Sequence, residues 1–212
     1  MILIYILVFI YCFLLILESI ICKSSYFDYY FGVPGSGKTT FAAYIAKKRL
    51  RKKQKVYSNV NIKGCYKVEK EDIGTYDISN GDLLIDEAGI EFNNRDFMNK
   101  KVALTKEQIK FFKLHRHYGV NISVFSQSHE DTDATLRRLA TRYYLLKKSI
   151  IPFFITRRTI KRTITIDKET HQIIDAYKFR WFGRKLIFSP GMWKMFNSYE
   201  APKLPKKDFA IY

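Results

Sequence analysis

The sequence predicts an α/β protein built on a mainly parallel sheet. Three observations carry that prediction. Strand-like and helix-like segments alternate as far as about residue 145, a glycine-rich loop at Gly32–Thr39 falls between the first strand and the first helix, and a later apolar strand ends in the carboxylate pair Asp86-Glu87. Such alternation buries a parallel sheet between helical layers.

The chain opens on an apolar run. No side chain from Met1 to Leu17 is charged, and the first basic residue is Lys23. As a helix, residues 1–22 would be roughly 33 Å long, enough to cross a bilayer's hydrocarbon core. The run lacks the basic start and small-residue cleavage site of a secretory signal peptide. Every Lys and Arg follows it, which predicts a single-pass membrane protein oriented N-out/C-in with the remaining chain in the cytoplasm.

Tyr26–Phe31 reads as the first strand and leads straight into the loop. Thr39 to about Lys53 reads as a helix with Phe41, Tyr44 and Ile45 on its apolar stripe and a strongly basic last turn. Val56–Val60 is a predicted strand, and Asn61–Asn80 is irregular, broken by Gly64 and Gly74. Leu83–Asp86 has a buried-strand pattern, and Thr105 caps a predicted helix running to Tyr118. Val120–Ser126 is a further strand. Leu136, Leu139, Ala140 and Tyr143 then recur at helical spacing. Tyr143–Lys148, Phe153–Ile166 and His171–Phe179 read as strands, the last two joined by Asp167–Thr170, so the sheet should finish in antiparallel strands. From Arg180 the chain is aromatic and basic without clear periodicity.

Composition narrows the partners. With 37 Lys and Arg against 20 Asp and Glu, the formal net charge is +17. That excess points to a polyanion, either nucleic acid or the anionic face of a membrane. Cys12, Cys22 and Cys65 form no Cys-x-x-Cys pair, which excludes a zinc ribbon, and an odd scattered set speaks against a disulfide framework. A reducing compartment fits.

Chemistry concentrates in three places. Gly32-Val33-Pro34-Gly35-Ser36-Gly37-Lys38-Thr39 is a complete phosphate-binding P-loop, with Thr40 next on the helix. Its glycines let successive N–H groups converge on phosphate oxygens, Lys38 supplies a charge to the β- and γ-phosphates, and the Thr39 hydroxyl ligates Mg²⁺. ATP and Mg²⁺ are therefore the expected cofactors. An apolar strand ending in Asp86 delivers a carboxylate for the Mg²⁺ site, and Glu87 is placed to polarise the attacking water. Pairing Asp with Glu favours an ATPase with an additional central strand over a kinase or a GTPase. Val120–Ser126 supplies that strand, and Gln127 at its carboxyl end is positioned for the γ-phosphate or the lytic water. Arg116, Arg137 and Arg138 are candidates for an arginine finger, none singled out. His115 and His117, two apart on a predicted helix, point away from each other and make a poor metal pair.

The P-loop, Leu83-Leu84-Ile85-Asp86-Glu87-Ala88, and above all His115-Arg116-His117-Tyr118-Gly119-Val120-Asn121 followed by Ser126-Gln127-Ser128 resemble the zonular occludens toxin (Zot) family. Tyr57-Ser58-Asn59 and the Leu136-Arg137-Arg138 segment fit it too. The family includes filamentous-phage assembly ATPases and is similar to the FtsK–HerA DNA-pumping motors. The resemblance covers roughly residues 26–180. It implies that Lys38 and Thr39 bind ATP and Mg²⁺, that Asp86 and Glu87 are the Walker B pair, and that Gln127 is the sensor. The expected organisation is an anchor at 1–22, an ATPase domain at 23–179 and a basic aromatic tail at 180–212. The implied role is a homo-oligomeric ring in a bacterial host's inner membrane that powers export of a filamentous virion, DNA plus coat, with phage or secretion-channel components as partners. Filamentous-phage members typically carry the membrane helix after the ATPase domain. The N-terminal run here keeps a DNA-packaging or conjugative DNA-transfer motor as the alternative.

Overall fold

A computed structural model describes residues 25–88, 104–128, 132–166 and 173–197. The predicted anchor at 1–22 lies outside the described residues. Among those described, no helix is long and apolar enough to cross a membrane.

Phe27–Phe31 forms β1, Lys38–Leu50 α1, Lys55–Ser58 β2, Tyr66–Lys67 β3 and Gly81–Ile85 β4. Lys106–Leu114 is α2, Asn121–Ser126 β5, Ala134–Leu139 α3, Arg142–Lys148 β6, Phe154–Ile166 β7 and Ile173–Phe188 β8. All eight strands join one sheet in the order β3-β2-β4-β5-β1-β6-β7-β8. The first six are parallel, and β7 and β8 close the sheet as an antiparallel pair. Strand β5 lies between β1 and β4, the position of the additional strand expected from the sequence.

Each central strand buries apolar residues on both sides because each side has its own core. Phe27 and Tyr29 of β1, Leu83 and Ile85 of β4, and Ile122 and Val124 of β5 pack with Phe111, Phe112 and Leu136 beneath α2 and α3. The alternate residues Tyr30, Leu84 and Phe125 pack under α1 with Phe41 and Ile45. Three alanines, Ala42, Ala43 and Ala46, are fully buried on α1 and let its backbone approach the sheet closely. Tyr30 stacks on Phe125 and Tyr144, each at a ring separation of 4.9 Å, so one aromatic layer crosses β5, β1 and β6.

Several boundaries differ from the pattern in the sequence, each for a local reason. Helix α2 begins where expected: Thr105 Oγ1 accepts from the Gln108 N–H at 3.2 Å, and Gln108 Oε1 accepts from the Thr105 N–H at 3.0 Å. It ends at Leu114 rather than Tyr118, because Gly119 at φ 66° closes a turn in which the Val120 N–H donates to the His115 carbonyl. Tyr143 continues the helical recurrence in sequence but lies on β6 opposite Tyr29. The helix itself stops at Leu139. Within the stretch read as irregular, Tyr66–Lys67 adds a short parallel edge strand to β2. Strand β8 does not end at Phe179. It runs to Phe188 against the first half of β7, with the register shifting between Arg158 and Ile160. Lys178, Arg180, Arg184 and Lys185 hide its strand character from a hydrophobic pattern, yet cations suit a sheet edge because they discourage further pairing.

Candidate functional site

Parallel strands point their carboxyl ends the same way, so the loops after β1, β4 and β5 meet at one sheet edge. The loop after β1 is the glycine-rich segment. Its first residue is tied down: the Gly32 N–H donates to the Ser126 carbonyl at 3.2 Å. A side chain at Gly32 would run into the Leu146 carbonyl oxygen and the Ser36 hydroxyl. Gly37 caps α1 at φ 90°, a conformation that disfavours any residue with a Cβ. Val33, Pro34 and Gly35 are exposed, whereas Ser36 is buried.

Lys38 opens α1 and is buried, its Nζ donating to the carbonyls of Gly32 at 2.9 Å and Val33 at 3.3 Å. Burial pulls its pKa below the usual lysine range, opposed by the charges of Asp86 and Glu87. Thr39 follows, and its hydroxyl donates to Asp86 Oδ2 at 2.6 Å. That bond joins two segments 47 residues apart. Thr40 is half-buried in the same first turn.

Asp86 is held on every side. Its backbone N–H donates to Asn59 Oδ1, and its carbonyl accepts from Asn59 Nδ2, both at 2.8 Å. One side-chain amide at the end of β2 thus clamps the peptide groups that aim the carboxylate. Asp86 Oδ1 accepts from the Glu87 N–H at 3.0 Å. Glu87 is exposed and sits at φ 51°, an uncommon setting for a non-glycine residue. Gln127 is exposed directly after Ser126, whose carbonyl anchors the loop. The fold therefore gathers the loop, Asp86, Glu87 and Gln127 at one edge. Asn59 belongs with them as a positioning residue. Its segment was part of the family resemblance, but nothing local in the sequence marks it as a partner of Asp86.

The donor set fits a phosphate group and a hard cation. The buried Ser36 hydroxyl has no hydrogen-bond partner among the described residues, and Lys38, Ser36 and the loop N–H groups are the kind that take phosphate oxygens. Thr39 and Asp86 supply adjacent oxygen ligands of the kind Mg²⁺ prefers. The other sequence candidates lie elsewhere. His115 is buried edge-on against Phe27 at 5.7 Å, with Nδ1 at 2.8 Å from the Phe112 carbonyl. Arg116 and His117 are exposed in the turn that follows, and Arg138 is exposed on α3. A cleft of about 500 Å³ lined by Val60, Ile62, Cys65 and Met195 contains none of the loop residues.

Asp86 provides a pH prediction. Burial raises its carboxyl above the usual carboxylate range, against the Thr39 and Glu87 hydrogen bonds that lower it. A carboxyl raised in the folded chain adds stability below its unfolded pKa, and this is lost as pH rises through the folded value. At neutral pH the charge is therefore a cost. Asp86→Asn keeps both hydrogen bonds if the Thr39 hydroxyl reverses to accept. It should melt at a higher temperature than the wild type at pH 7. Thermal melts across pH should show this gap closing on acidification; a variant that melts lower at pH 7 would refute the assignment.

The model of the family described as zonular occludens toxin (Zot) matches residues 67–201. No curated protein matches the chain. Among solved structures, the N-terminal domain of zonular occludens toxin from Neisseria meningitidis is similar at a TM-score of 0.50 and 16% identity, over 82% of this chain and 100% of that one. The genome packaging NTPase B204 from Sulfolobus turreted icosahedral virus 2, in complex with AMP, has a TM-score of 0.46 and 12% identity, over 71% and 96% of the two chains.

Proposed function

The chain belongs to the zonular occludens toxin family, and from that membership we propose that it is a Mg²⁺-dependent ATPase, anchored in a host inner membrane by residues 1–22, that powers export of a filamentous virion. One observation carries the catalytic part: the 2.6 Å bond from Thr39 to Asp86, which unites the phosphate loop with the carboxylate strand.

Lys38 and the N–H groups of residues 35–39 bind the β- and γ-phosphates at the amino end of α1, where the helix dipole favours an anion. Thr39 and Asp86 would hold Mg²⁺, and the chemistry that ion supplies is charge neutralisation on the phosphate oxygens. Asn59 keeps Asp86 in place. Glu87 accepts the proton of the attacking water, and its exposure leaves it accessible to that water. Gln127, at the end of the strand between β1 and β4, orients the same water. Homo-oligomerisation into a ring would let a neighbour supply an arginine finger. The net charge of +17 suits a DNA or nucleoprotein cargo. A DNA-packaging or conjugative DNA-transfer motor is the second reading, favoured by the N-terminal place of the apolar run.

The test uses the full chain in membrane vesicles. Turnover should require Mg²⁺, stop on adding EDTA, and rise with DNA, the rise fading as salt is increased. EDTA-resistant turnover would remove the metal site. No DNA response at low salt would remove both DNA roles. In cells, release of DNA-containing filaments that depends on this chain separates virion export from DNA transfer.

A further inference from the structure

A second cationic concavity, about 290 Å³ in volume, runs along α1 from Phe41 to the opposite end of the helix, between it and the face formed by β1, β6, β7 and β8, with the Asp28 carboxylate also in its wall. The helix has 13 residues, so this end lies about 20 Å from the phosphate loop. Its walls include Lys48 and Lys52 from α1 and the turn after it, Arg157 from β7, Lys185 from β8, and the rings of Tyr26 and Tyr44.

Two neighbouring cations are already neutralised. Arg142 makes a two-pronged pair with Asp28, at 2.5 and 2.9 Å, and Arg49 pairs with Asp82 at 3.0 Å. Lys48, Lys52, Arg157 and Lys185 have no ion pair among the described residues. Arg157 lies over the Tyr144 ring at 4.4 Å, and its Nε is buried without a hydrogen-bond partner among the described residues. Burial, then the proximity of Lys185, Lys52, Arg49 and Arg157, pulls the Lys48 pKa down. Asp28 in the wall also acts on Arg157, but Lys48, Lys52 and Lys185 line the hollow's exposed rim with no ion pair among the described residues. Their cations repel one another, and an anion would relieve that repulsion.

We propose that this hollow binds the phosphate group of an anionic phospholipid. Location favours a lipid. Tyr26 forms one wall, and only Lys23, Ser24 and Ser25 separate it from the apolar run that ends at Cys22. Four chain steps reach at most about 14 Å, so an anchored chain holds the hollow at headgroup depth. Tyrosines and basic groups next to a spanning segment suit that layer, where anionic lipids concentrate. Shape argues the same way. A hollow of this volume takes one headgroup, whereas duplex DNA binds along an extended strip of phosphates. The inference rests on the proposed anchor for its location, not on the ATPase chemistry.

The test places the full chain in vesicles of phosphatidylcholine, alone or mixed with phosphatidylglycerol. Amine acetylation is read by mass spectrometry at Lys48, Lys52 and Lys185, with exposed Lys106 and Lys110 as references. Phosphatidylglycerol should slow acetylation of the three hollow lysines about fivefold, the equivalent of ~1 kcal/mol for a cation at an anionic surface, and leave the references unchanged. K48Q/K52Q should restore acetylation at Lys185, and K48R/K52R should not. Equal acetylation in both vesicles overturns the proposal. Equal protection by soluble glycerol phosphate in phosphatidylcholine vesicles would make free phosphate the ligand, and protection by duplex DNA but not by phosphatidylglycerol would make it a nucleic-acid site; either result overturns the lipid assignment. Flotation with phosphatidylcholine vesicles reads the anchor separately. Flotation without protection leaves the anchor and refutes the hollow, and protection without such flotation does the reverse.

Discussion

Replacing Lys38 by alanine should cut ATP turnover by about 10²–10⁴-fold in kcat/KM, the equivalent of two charge-assisted hydrogen bonds to phosphate. No other side chain in the loop carries a positive charge, and the N–H groups around it bring only partial charges. The fold should survive the change. Lys38 is a buried cation with a depressed pKa, so its removal relieves a desolvation cost even as it frees the carbonyls of Gly32 and Val33. Turnover and nucleotide binding measured beside a thermal melt separate the two effects. A variant that melts like the wild type and still turns over ATP normally would place the active site elsewhere.

Glu87→Gln should produce a different defect. Its side chain is exposed and its N–H, not its carboxylate, makes the bond to Asp86, so stability should stay within about 0.5 kcal/mol of the wild type. The phosphate loop and Asp86 are untouched, so nucleotide affinity should hold. The rate should fall by about 10²–10⁴-fold, as expected for loss of a general base. A drop in kcat at constant nucleotide affinity is the signature. If affinity falls and kcat does not, Glu87 holds the nucleotide rather than activating water. Together the two substitutions distinguish binding from chemistry: Lys38→Ala empties the site, and Glu87→Gln fills it without turnover.

Much of the site was legible in the sequence because its parts are local. The residues from Gly32 to Thr39 are contiguous, and glycine, lysine and threonine have chemical properties that hold wherever the loop is placed. The same is true of Asp86 and Glu87 at the end of an apolar strand. Element order followed from hydrophobic period, and the place of β5 between β1 and β4 agrees with the additional strand read from Val120–Ser126. Periodicity failed where it was ambiguous or hidden. Tyr143 fits a helical stripe and a strand equally well, and pairing with β1 decides for the strand. The charged half of β8 shows no apolar face to read, and only β7 beside it makes it a strand.

What only tertiary structure decided is which distant groups meet. Thr39 touches Asp86 because α1 starts where β4 ends. Asn59 clamps Asp86 because β2 and β4 pair in register, with Ser58 opposite Leu84. The basic last turn of α1, which by itself reads as a solvated helix end, becomes one wall of a hollow once β7 and β8 bring Arg157 and Lys185 against it. Residue type is local information, and it determined that this chain carries a phosphate loop and a carboxylate pair. Contact between segments far apart in sequence depends on the sheet order, which is set by the burial of two cores at once and is written in no single stretch of the chain.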